Sequence, residues 1–429
     1  MSEGVKKTVK VKVLGSGMEV GRAAVAIEYR GRNVLLDYGV NFDENDAPIY
    51  PIHIRPKDLE ALVLTHSHLD HVGAAPSLYM SVRPRLLATS LTLDVTRVLL
   101  YDMIKLNGPN LIFDTKSVDD MWGVAEETDY ERPVESGDFM LTLMYSGHIP
   151  GSASVIVDVG GHRVLYTSDM NTIETKLMSP SKLDGVKADM VIIESTYSNM
   201  THPERRRTED DFYDSIADVV KRGGKVLVPA FSVARGQEIM CLLEERGFSW
   251  PVWIDGMIRT ITDLYLAHSA FLREPRLLAR AVEDQRVVKG WSDRKKALRE
   301  PGVIIASAGM LKGGPSLYYY SRLVSNEKDA VFLVSYQAPN TPGRVALEEG
   351  VFFDGERKIP VKARLQLFDF SSHADWRGVI QTLRQIVGLQ KVVLVHGEPD
   401  GQALLANRIR EELGIDVIVP RNGDVIELD

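Results

Sequence analysis

The sequence predicts an α/β protein with two different patterns along one chain. Up to about residue 195, short apolar strands alternate with turn residues, as in the hairpin expected at 154–169 around Gly160 and Gly161. From about residue 196, amphipathic helices that end at glycine alternate with buried strands, as in 208–229. After about residue 370, helices and strands continue to alternate. We therefore expect a layered sheet region and an α/β region.

The composition of the 429 residues excludes several classes of protein. The chain is 44% hydrophobic and 26% charged, as a folded globular protein is. It holds no apolar run near the roughly 18 residues of a membrane span, and its N-terminus shows no apolar signal core. We therefore expect a cytoplasmic protein with no membrane partner. The single cysteine, Cys241, excludes a disulfide framework and a thiolate zinc cluster, so nitrogen and oxygen must hold any metal.

Three of the ten histidines fall within six positions, in the run His66, His68, Asp70 and His71. The run begins where the apolar strand ALVLT ends, and residues 69–80 are expected to continue as a helix. A strand end places His66 and His68 on one side, while Asp70 and His71 can turn towards a second point nearby. Imidazole nitrogens and carboxylate oxygens suit Zn²⁺. Four such ligands on one turn predict two neighbouring metals.

Further polar residues also follow apolar strands. His148 lies in the glycine-bordered turn YSGHIPG, and Asp169 ends the strand VLYTSD. The ends of strands are where a site on a sheet is expected. Asp37, which ends VLLD, is predicted either to orient a ligand histidine or to be an ordinary turn aspartate.

These residues together resemble the metallo-β-lactamase superfamily. The hallmarks of that family are an aspartate after the first strand pair, the His-x-His-x-Asp-His signature, a later histidine, a bridging aspartate and a final histidine. The candidate for the final histidine, His396 in VVLVHGEP, follows Asp169 by 227 residues. That gap is long enough for an inserted domain, and the change of pattern near residue 196 marks its start.

Such an insertion resembles the β-CASP group of nucleases that process RNA or DNA. Glu194 in VIIESTYS, His373 in DFSSHADW and His396 match three motifs of the group, and a histidine in the third motif is typical of its RNA-acting branch. The sequence around His373 and His396 resembles that of archaeal ribonucleases similar to the nuclease subunit of the cleavage and polyadenylation specificity factor. The resemblance implies an αββα metallo-β-lactamase sandwich from 1–197 and 371–429, with an inserted α/β β-CASP domain at 198–370.

The resemblance also implies a zinc-dependent ribonuclease that acts in RNA processing or decay. One zinc would be held by His66, His68 and His148, and the other by Asp70, His71 and His396, with Asp169 between them. The two ions would activate the attacking water. His373, held by Glu194, is the candidate general acid, and Asp70 and Asp37 complete the expected catalytic set.

The inserted domain is expected to clamp single-stranded RNA. The candidate contacts lie at strand ends and in a glycine-rich loop: Ser232, Arg235, Lys312, Gly313, Gly314 and Ser316. The basic stretch 286–299, which contains Trp291, predicts either a grip on one strand or a solvated helix face. A homodimer and membership of an RNA-processing complex are both compatible with the resemblance.

Two other functions stay open. A hydrolase of small thioesters or lactams conflicts with the 227-residue gap and with the motifs at Glu194 and His373. A catalytically silent RNA-processing subunit conflicts with the retention of all seven metal ligands. The residues do not separate endonuclease from 5′-to-3′ exonuclease. The formal net charge is −8, so the chain as a whole is not basic. RNA binding should therefore depend on the metal centre and a local groove.

Overall fold

A computed structural model describes residues 8–428, which form two compact units. The first unit runs up to Glu174 and adds Ser179–Thr201 and the chain from Ser372 onward. The second contains Thr175–Met178 and His202–Ser371. None of the helices within 8–428 combines the length and the apolarity needed to cross a membrane.

The apolar runs before residue 195 form short strands, as expected. The strands are β1 (Val9–Gly15), β2 (Ala24–Tyr29), β3 (Arg32–Leu36), β4 (Asn41–Phe42), β5 (Pro48–Ile49), β6 (Leu59–Val63), β7 (Arg85–Ala88), β8 (Ala125–Glu127), β9 (Val134–Ser136), β10 (Phe139–Tyr145), β11 (Ala153–Val159), β12 (His162–Tyr166) and β13 (Met190–Glu194). The helices between them are α1 (Leu69–Val72), α2 (Ser90–Asn107) and α3 (Thr115–Trp122). Gly160 and Gly161 both have positive φ in the turn between β11 and β12, so the hairpin expected there is confirmed.

The second unit alternates helices with strands. Its elements are α4 (Arg205–Lys221), β14 (Lys225–Pro229), α5 (Arg235–Glu245), β15 (Val252–Asp255), α6 (Ile258–Ala267), α7 (Pro275–Asp284), β16 (Arg286–Val287), α8 (Trp291–Ala297), β17 (Gly302–Ala306), α9 (Gly314–Leu323), β18 (Ala330–Leu333), α10 (Pro342–Glu349), β19 (Val351–Asp354), β20 (Arg357–Pro360) and β21 (Arg364–Leu367). Six of the strands form a parallel sheet in the order β16-β15-β17-β14-β18-β21. Consecutive residues of β14 are buried, which indicates that both faces of this sheet are covered.

The chain after residue 372 completes the first unit. It forms α11 (Trp376–Gln385), β22 (Lys391–Val395), α12 (Pro399–Leu413), β23 (Asp416–Ile418) and β24 (Val425–Leu428). β24 pairs with β1 in the sheet β24-β1-β2-β3-β6-β7-β8. β22 pairs with β13 in the sheet β23-β22-β13-β12-β11-β10-β9. Each sheet of this unit therefore contains strands from before and after the second unit.

The two seven-stranded sheets pack face to face around a core of buried aliphatic side chains that both sheets supply, such as Val25 and Val157. Side chains of α2 and α3 pack with the outer face of the first sheet, including Leu100 and Val118. Side chains of α11 and α12 do the same for the second, including Leu383 and Leu405. The result is the predicted αββα sandwich.

The signature region differs locally from expectation. β6 ends at Val63, so His66 and His68 lie on a loop after the strand and not at its last residues. Residues 69–80 do not continue as one helix, because α1 ends at Val72 and a 3₁₀ turn follows at Ala75–Tyr79. Pro76 explains the break, since proline has no N–H group to continue the helix and its ring clashes with the preceding turn.

Candidate metal centre

The candidate ligands lie where parallel strands of each sheet end, except for His148, which follows the antiparallel strand β10. β3 runs parallel to β6, and β12 runs parallel to β13 and β22, so the carboxyl ends within each set share an edge. Asp37, Ser168 and His396 each follow one of these strands with a positive φ of 59°, 50° and 52°. Left-handed backbone at a residue other than glycine costs on the order of 1–3 kcal/mol and clusters at functional sites. The backbone is therefore strained where the candidate site is built.

The first group of side chains contains three histidines and one aspartate. The ligand atoms of His66, His68, His148 and Asp169 all lie within 4.8 Å of one another. His66 Nε2 and His148 Nε2 lie 3.5 and 3.6 Å from Asp169 Oδ2. This donor set of imidazoles and a carboxylate is of the kind that binds zinc.

The second group contains Asp70, His71 and His396, whose ligand atoms also lie within 4.8 Å of one another. His396 Nε2 is 3.3 Å from Asp70 Oδ2. His71 Nε2 is 3.5 Å from Asp169 Oδ2, and His396 Nδ1 is 3.5 Å from Asp169 Oδ1. Asp169 therefore faces both groups, and the structure brings all seven expected ligands together.

Burial in this cluster, and the protonation of three of its histidines, fit metal binding. Among the described residues, His71 Nε2 and Asp169 Oδ1 are buried without a hydrogen-bond partner, which is costly unless an ion satisfies them. Burial lowers the pKa of His66 and His148 well below the usual value. Burial also lowers the pKa of His68 to about 4. Neutral imidazole is the form that coordinates a metal.

Asp37 organises the side of the cluster next to His71. His71 Nδ1 and Thr65 Oγ1 each lie 2.8 Å from Asp37 Oδ2, and the Thr65 N–H donates to Asp37 Oδ1 at 2.8 Å. The hydroxyls of Tyr166 and Ser168 donate to the same carboxylate at 3.2 and 3.3 Å. A carboxylate that accepts from Nδ1 leaves Nε2 of the ring facing the cluster. The geometry thus favours an orienting role for Asp37 over an ordinary turn.

Glu194 and His373 form a second carboxylate–imidazole pair in the same unit. His373 Nδ1 lies 2.9 and 3.0 Å from the two oxygens of Glu194, and its Nε2 is 3.9 Å from Asp169 Oδ2. Burial opposes the charged ring, but the negative charges of Glu194 and Asp169 raise the pKa of His373 to about 9. The ring can therefore hold a proton close to the cluster at neutral pH.

Sequence reasoning missed several residues that hold the site together. Thr196 Oγ1 donates to Glu194 Oε2 at 2.6 Å and lies 3.1 Å from His396 Nδ1. The backbone oxygen of Ser372 accepts from His148 Nδ1 at 2.8 Å. Both residues adjoin motifs that the sequence does show, which is the one signal that could have identified them. Thr65, Ser168 and Tyr166 carry no spacing signal, because a hydroxyl at a strand end is common.

The six candidate RNA contacts lie in two regions of the second unit. Ser232 precedes α5 and Arg235 begins it, whereas Lys312 and Gly313 precede α9, and Gly314 and Ser316 lie within it. Gly313 and Gly314 have φ of 135° and 65°, and space for a neighbouring group is open beside Gly313. Lys312 is exposed. Ser316 is buried, and its hydroxyl donates to the backbone oxygen of Ala308 at 2.7 Å, so it closes the loop from inside.

Fold and site together define a metal-dependent hydrolase in which an αββα sandwich carries a buried histidine and aspartate cluster. Family models match the Metallo-beta-lactamase superfamily at 18–202, the Beta-Casp domain at 236–345 and the Zn-dependent metallo-hydrolase RNA specificity domain at 358–420. The chain belongs to the β-CASP group of the metallo-β-lactamase superfamily, which confirms the resemblance seen in its motifs.

Its relatives include proteins named as ribonucleases. The chain is 44% identical to "RNase aCSPSF2" of Saccharolobus solfataricus over 97% of its own length and 85% of that protein. It is 32% identical to "Probable RNase MJ4" of Methanocaldococcus jannaschii, covering 96% and 99% of the two chains. It is 31% identical to "Transcription termination factor FttA" of Pyrococcus horikoshii, covering 98% and 71%.

One solved structure repeats the fold at low identity. A protein of unknown function from Enterococcus faecalis superposes with a TM-score of 0.61 at 12% identity, over 98% of this chain and 100% of the other. This likeness supports the fold alone.

Proposed function

We propose that this chain is a zinc-dependent ribonuclease that hydrolyses RNA phosphodiester bonds in RNA processing or decay. The observation that carries the proposal is the pair of mostly buried ligand groups, each with a histidine 3.5 Å from Asp169, beside the Glu194–His373 pair. Two relatives whose printed names are ribonucleases support RNA as the substrate class.

In this proposal His66, His68 and His148 would hold one zinc, and Asp70, His71 and His396 would hold a second. Asp169, which lies 3.5 Å from a histidine of each group, would be available to both. Two such ions, when bound, lower the pKa of a water molecule and neutralise charge that builds up at the phosphate. Asp37 accepts a hydrogen bond from His71 Nδ1. Nε2 of the same ring is therefore left to hold the second zinc.

His373 acts on the leaving group. Hydrolysis forms a bond from water oxygen to phosphorus and breaks the bond from phosphorus to the 3′ oxygen, which leaves a 5′-phosphate and a 3′-hydroxyl. The departing 3′ oxygen needs a proton, and His373 Nε2 donates it while Glu194 holds the ring through Nδ1. A general acid of this kind contributes roughly 100- to 10,000-fold in rate.

The inserted domain, expected at 198–370, supplies the contacts to the RNA backbone. Lys312 offers a positive charge to a phosphate, and the backbone beside Gly313 leaves room for one to approach. Ser232, Arg235 and Gly314 are proposed to add to this grip from the same unit. The Ser316 hydroxyl is not included, because it is already bonded inside its loop.

Digestion of RNAs labelled at the 5′ end tests the function and separates the two modes of cleavage. RNAs with a 5′-monophosphate and a 5′-triphosphate are incubated with zinc-loaded protein, and the products are resolved by length. Early release of labelled mononucleotide identifies a 5′-to-3′ exonuclease, whereas internal fragments identify an endonuclease. Turnover of a chromogenic lactam or thioester with no turnover of RNA would refute the proposal.

A further inference from the structure

The basic stretch 286–299 contains an aromatic residue that a solvated helix face does not explain. Trp291 begins α8 and leaves 63% of its surface exposed. Tryptophan is mostly buried in folded chains, because exposing its large apolar surface to water is unfavourable. The charged residues of α8 would keep a surface helix in solution without it.

Trp291 lies within a cluster of aromatic rings and guanidinium groups on α8 and α9. Its ring is 5.2 Å from that of Tyr318, edge to face at 74°. The Arg294 guanidinium lies 5.0 Å from the Trp291 ring and 5.6 Å from the Tyr318 ring. The Arg322 guanidinium lies 3.7 Å from the Tyr318 ring. Two rings and two guanidinium groups thus contact one another, with Trp291 and Arg322 exposed and Arg294 and Tyr318 half-buried.

A buried carboxylate fixes this arrangement before any ligand arrives. Asp255, at the end of β15, is 3% exposed. It accepts from Arg294 Nε at 2.7 Å and from Arg294 Nη2 at 3.2 Å. The Tyr319 hydroxyl donates to it at 2.9 Å. Because the guanidinium is already oriented, a ligand that stacks on it loses little conformational entropy on binding.

The surface around the cluster keeps a positive charge. Residues 286–299 contain six lysines and arginines. Three acids pair with three of them, since Asp255, Asp293 and Glu300 contact Arg294, Lys296 and Arg286, respectively. The remaining basic residues and the exposed Arg322 complement a phosphate backbone.

We propose that Trp291, Arg294, Tyr318 and Arg322 form a stacking platform for the unpaired bases of single-stranded RNA. The platform would add a base contact to the phosphate contacts of the second unit, and this inference rests on the proposed ribonuclease function. Aromatic and arginine planes stack on every base, so the contact is tolerant of sequence and selects single strands over duplex. A protein partner would not need guanidinium groups held against aromatic rings.

Equilibrium binding of a fluorescent single-stranded RNA tests the platform in the full chain, with His373→Ala as the background so that the RNA is not consumed. Stacking on one aromatic side chain is worth enough that Trp291→Ala should raise Kd roughly 5- to 150-fold. Trp291→Phe keeps an aromatic face and should restore most of the affinity. The matched control is Phe353→Ala, which removes a 49% exposed aromatic residue from the same unit and should leave Kd unchanged.

Photocrosslinking locates the contact independently of affinity. Single-stranded RNA that carries 5-iodouridine should crosslink to the peptides that contain Trp291 or Tyr318, and duplex RNA of the same sequence should compete poorly. Equal Kd values for Trp291→Ala and Phe353→Ala, or crosslinks confined to other peptides, would overturn the platform. The platform would also be overturned if Trp291→Ala abolished binding to a protein partner and left the Kd for RNA unchanged.

Two further measurements separate failure of the platform from failure of the function. Bis(p-nitrophenyl) phosphate carries no base, so the Trp291→Ala chain with His373 intact should hydrolyse it at the wild-type rate. If the wild-type chain cleaves RNA and the variant binds it equally well, the platform alone is wrong. If the wild-type chain neither binds nor cleaves RNA, both are wrong. Arg322→Gln, which should also raise Kd, keeps the test valid if Trp291→Ala does not fold.

Discussion

His373 donates through Nδ1 to both carboxylate oxygens of Glu194, at 2.9 and 3.0 Å, although 179 residues separate the two in the chain. Glu194 is 1% exposed and also accepts from the Met170 N–H at 2.7 Å. This buried carboxylate fixes the imidazole ring, so that its Nε2 faces the candidate metal-binding cluster, 3.9 Å from Asp169 Oδ2.

His373→Ala should lower kcat for RNA by roughly 100- to 10,000-fold, because the leaving oxygen loses its proton donor. Metal content, measured by elemental analysis after desalting, should equal that of the wild-type chain. His53→Ala, which removes an exposed histidine of the same unit, should change neither quantity. Loss of metal from the His373→Ala variant would instead identify this residue as a ligand.

Glu194→Gln should lower kcat by the same mechanism, because the amide holds the ring without supplying a negative charge. Since the two residues act as one unit, the double variant with His373→Ala should be no slower than His373→Ala alone. Rate constants for the wild type, the two single variants and the double variant give this comparison. Additive losses would mean that Glu194 acts independently of His373.

Asp37→Asn should weaken metal binding by roughly 10- to 100-fold, as substitution of a carboxylate that orients a ligand histidine typically does. The cause is loss of the charged acceptor for His71 Nδ1. Competition with a chromophoric chelator measures the affinity. Asp129→Asn serves as the control, because that side chain is 84% exposed. An unchanged affinity in Asp37→Asn would remove Asp37 from the site.

Removal of the metal should abolish RNA hydrolysis and lower the unfolding temperature. The cluster buries His71 Nε2 and Asp169 Oδ1 without a hydrogen-bond partner among the described residues, so an ion satisfies groups that are otherwise costly. At a free metal concentration 100 times Kd, binding stabilises the native state by about 2.7 kcal/mol. Differential scanning calorimetry with and without a chelator, followed by Zn²⁺ addition, should show loss and recovery. An unchanged unfolding temperature would argue against a metal at this site.

Glu238→Ala should destabilise the second unit by roughly 3–5 kcal/mol, because it breaks a buried ion pair. Glu238 is 3% exposed, pairs with Arg205 and accepts from the Lys176 and Leu177 N–H groups. The control is Glu348→Ala, since the exposed pair of Glu348 with Arg344 is worth roughly 0.3–0.5 kcal/mol. Urea unfolding of both variants measures the difference, and equal midpoints would contradict the prediction.

The sequence by itself determined the α/β class, the hairpin at Gly160 and Gly161 and the change of architecture near residue 196. These features follow from local periodicity and turn chemistry, which depend on residues close together in the chain. It also singled out six candidate ligands, because histidines and aspartates that follow apolar strands are costly there unless they bind something. The seventh, His396, came from the resemblance to the metallo-β-lactamase superfamily.

Only the tertiary structure decided which groups meet. Three sets of contacts join separate strands and loops. They are the five hydrogen bonds donated to Asp37, the contacts of Thr196 with Glu194 and His396, and the ion pair of Arg294 with Asp255. The burial of Ser316 and the exposure of Trp291 were equally invisible in the sequence. The physical reason is that parallel strands bring distant parts of the chain to one edge. Contacts made there depend on long-range pairing and not on local sequence pattern.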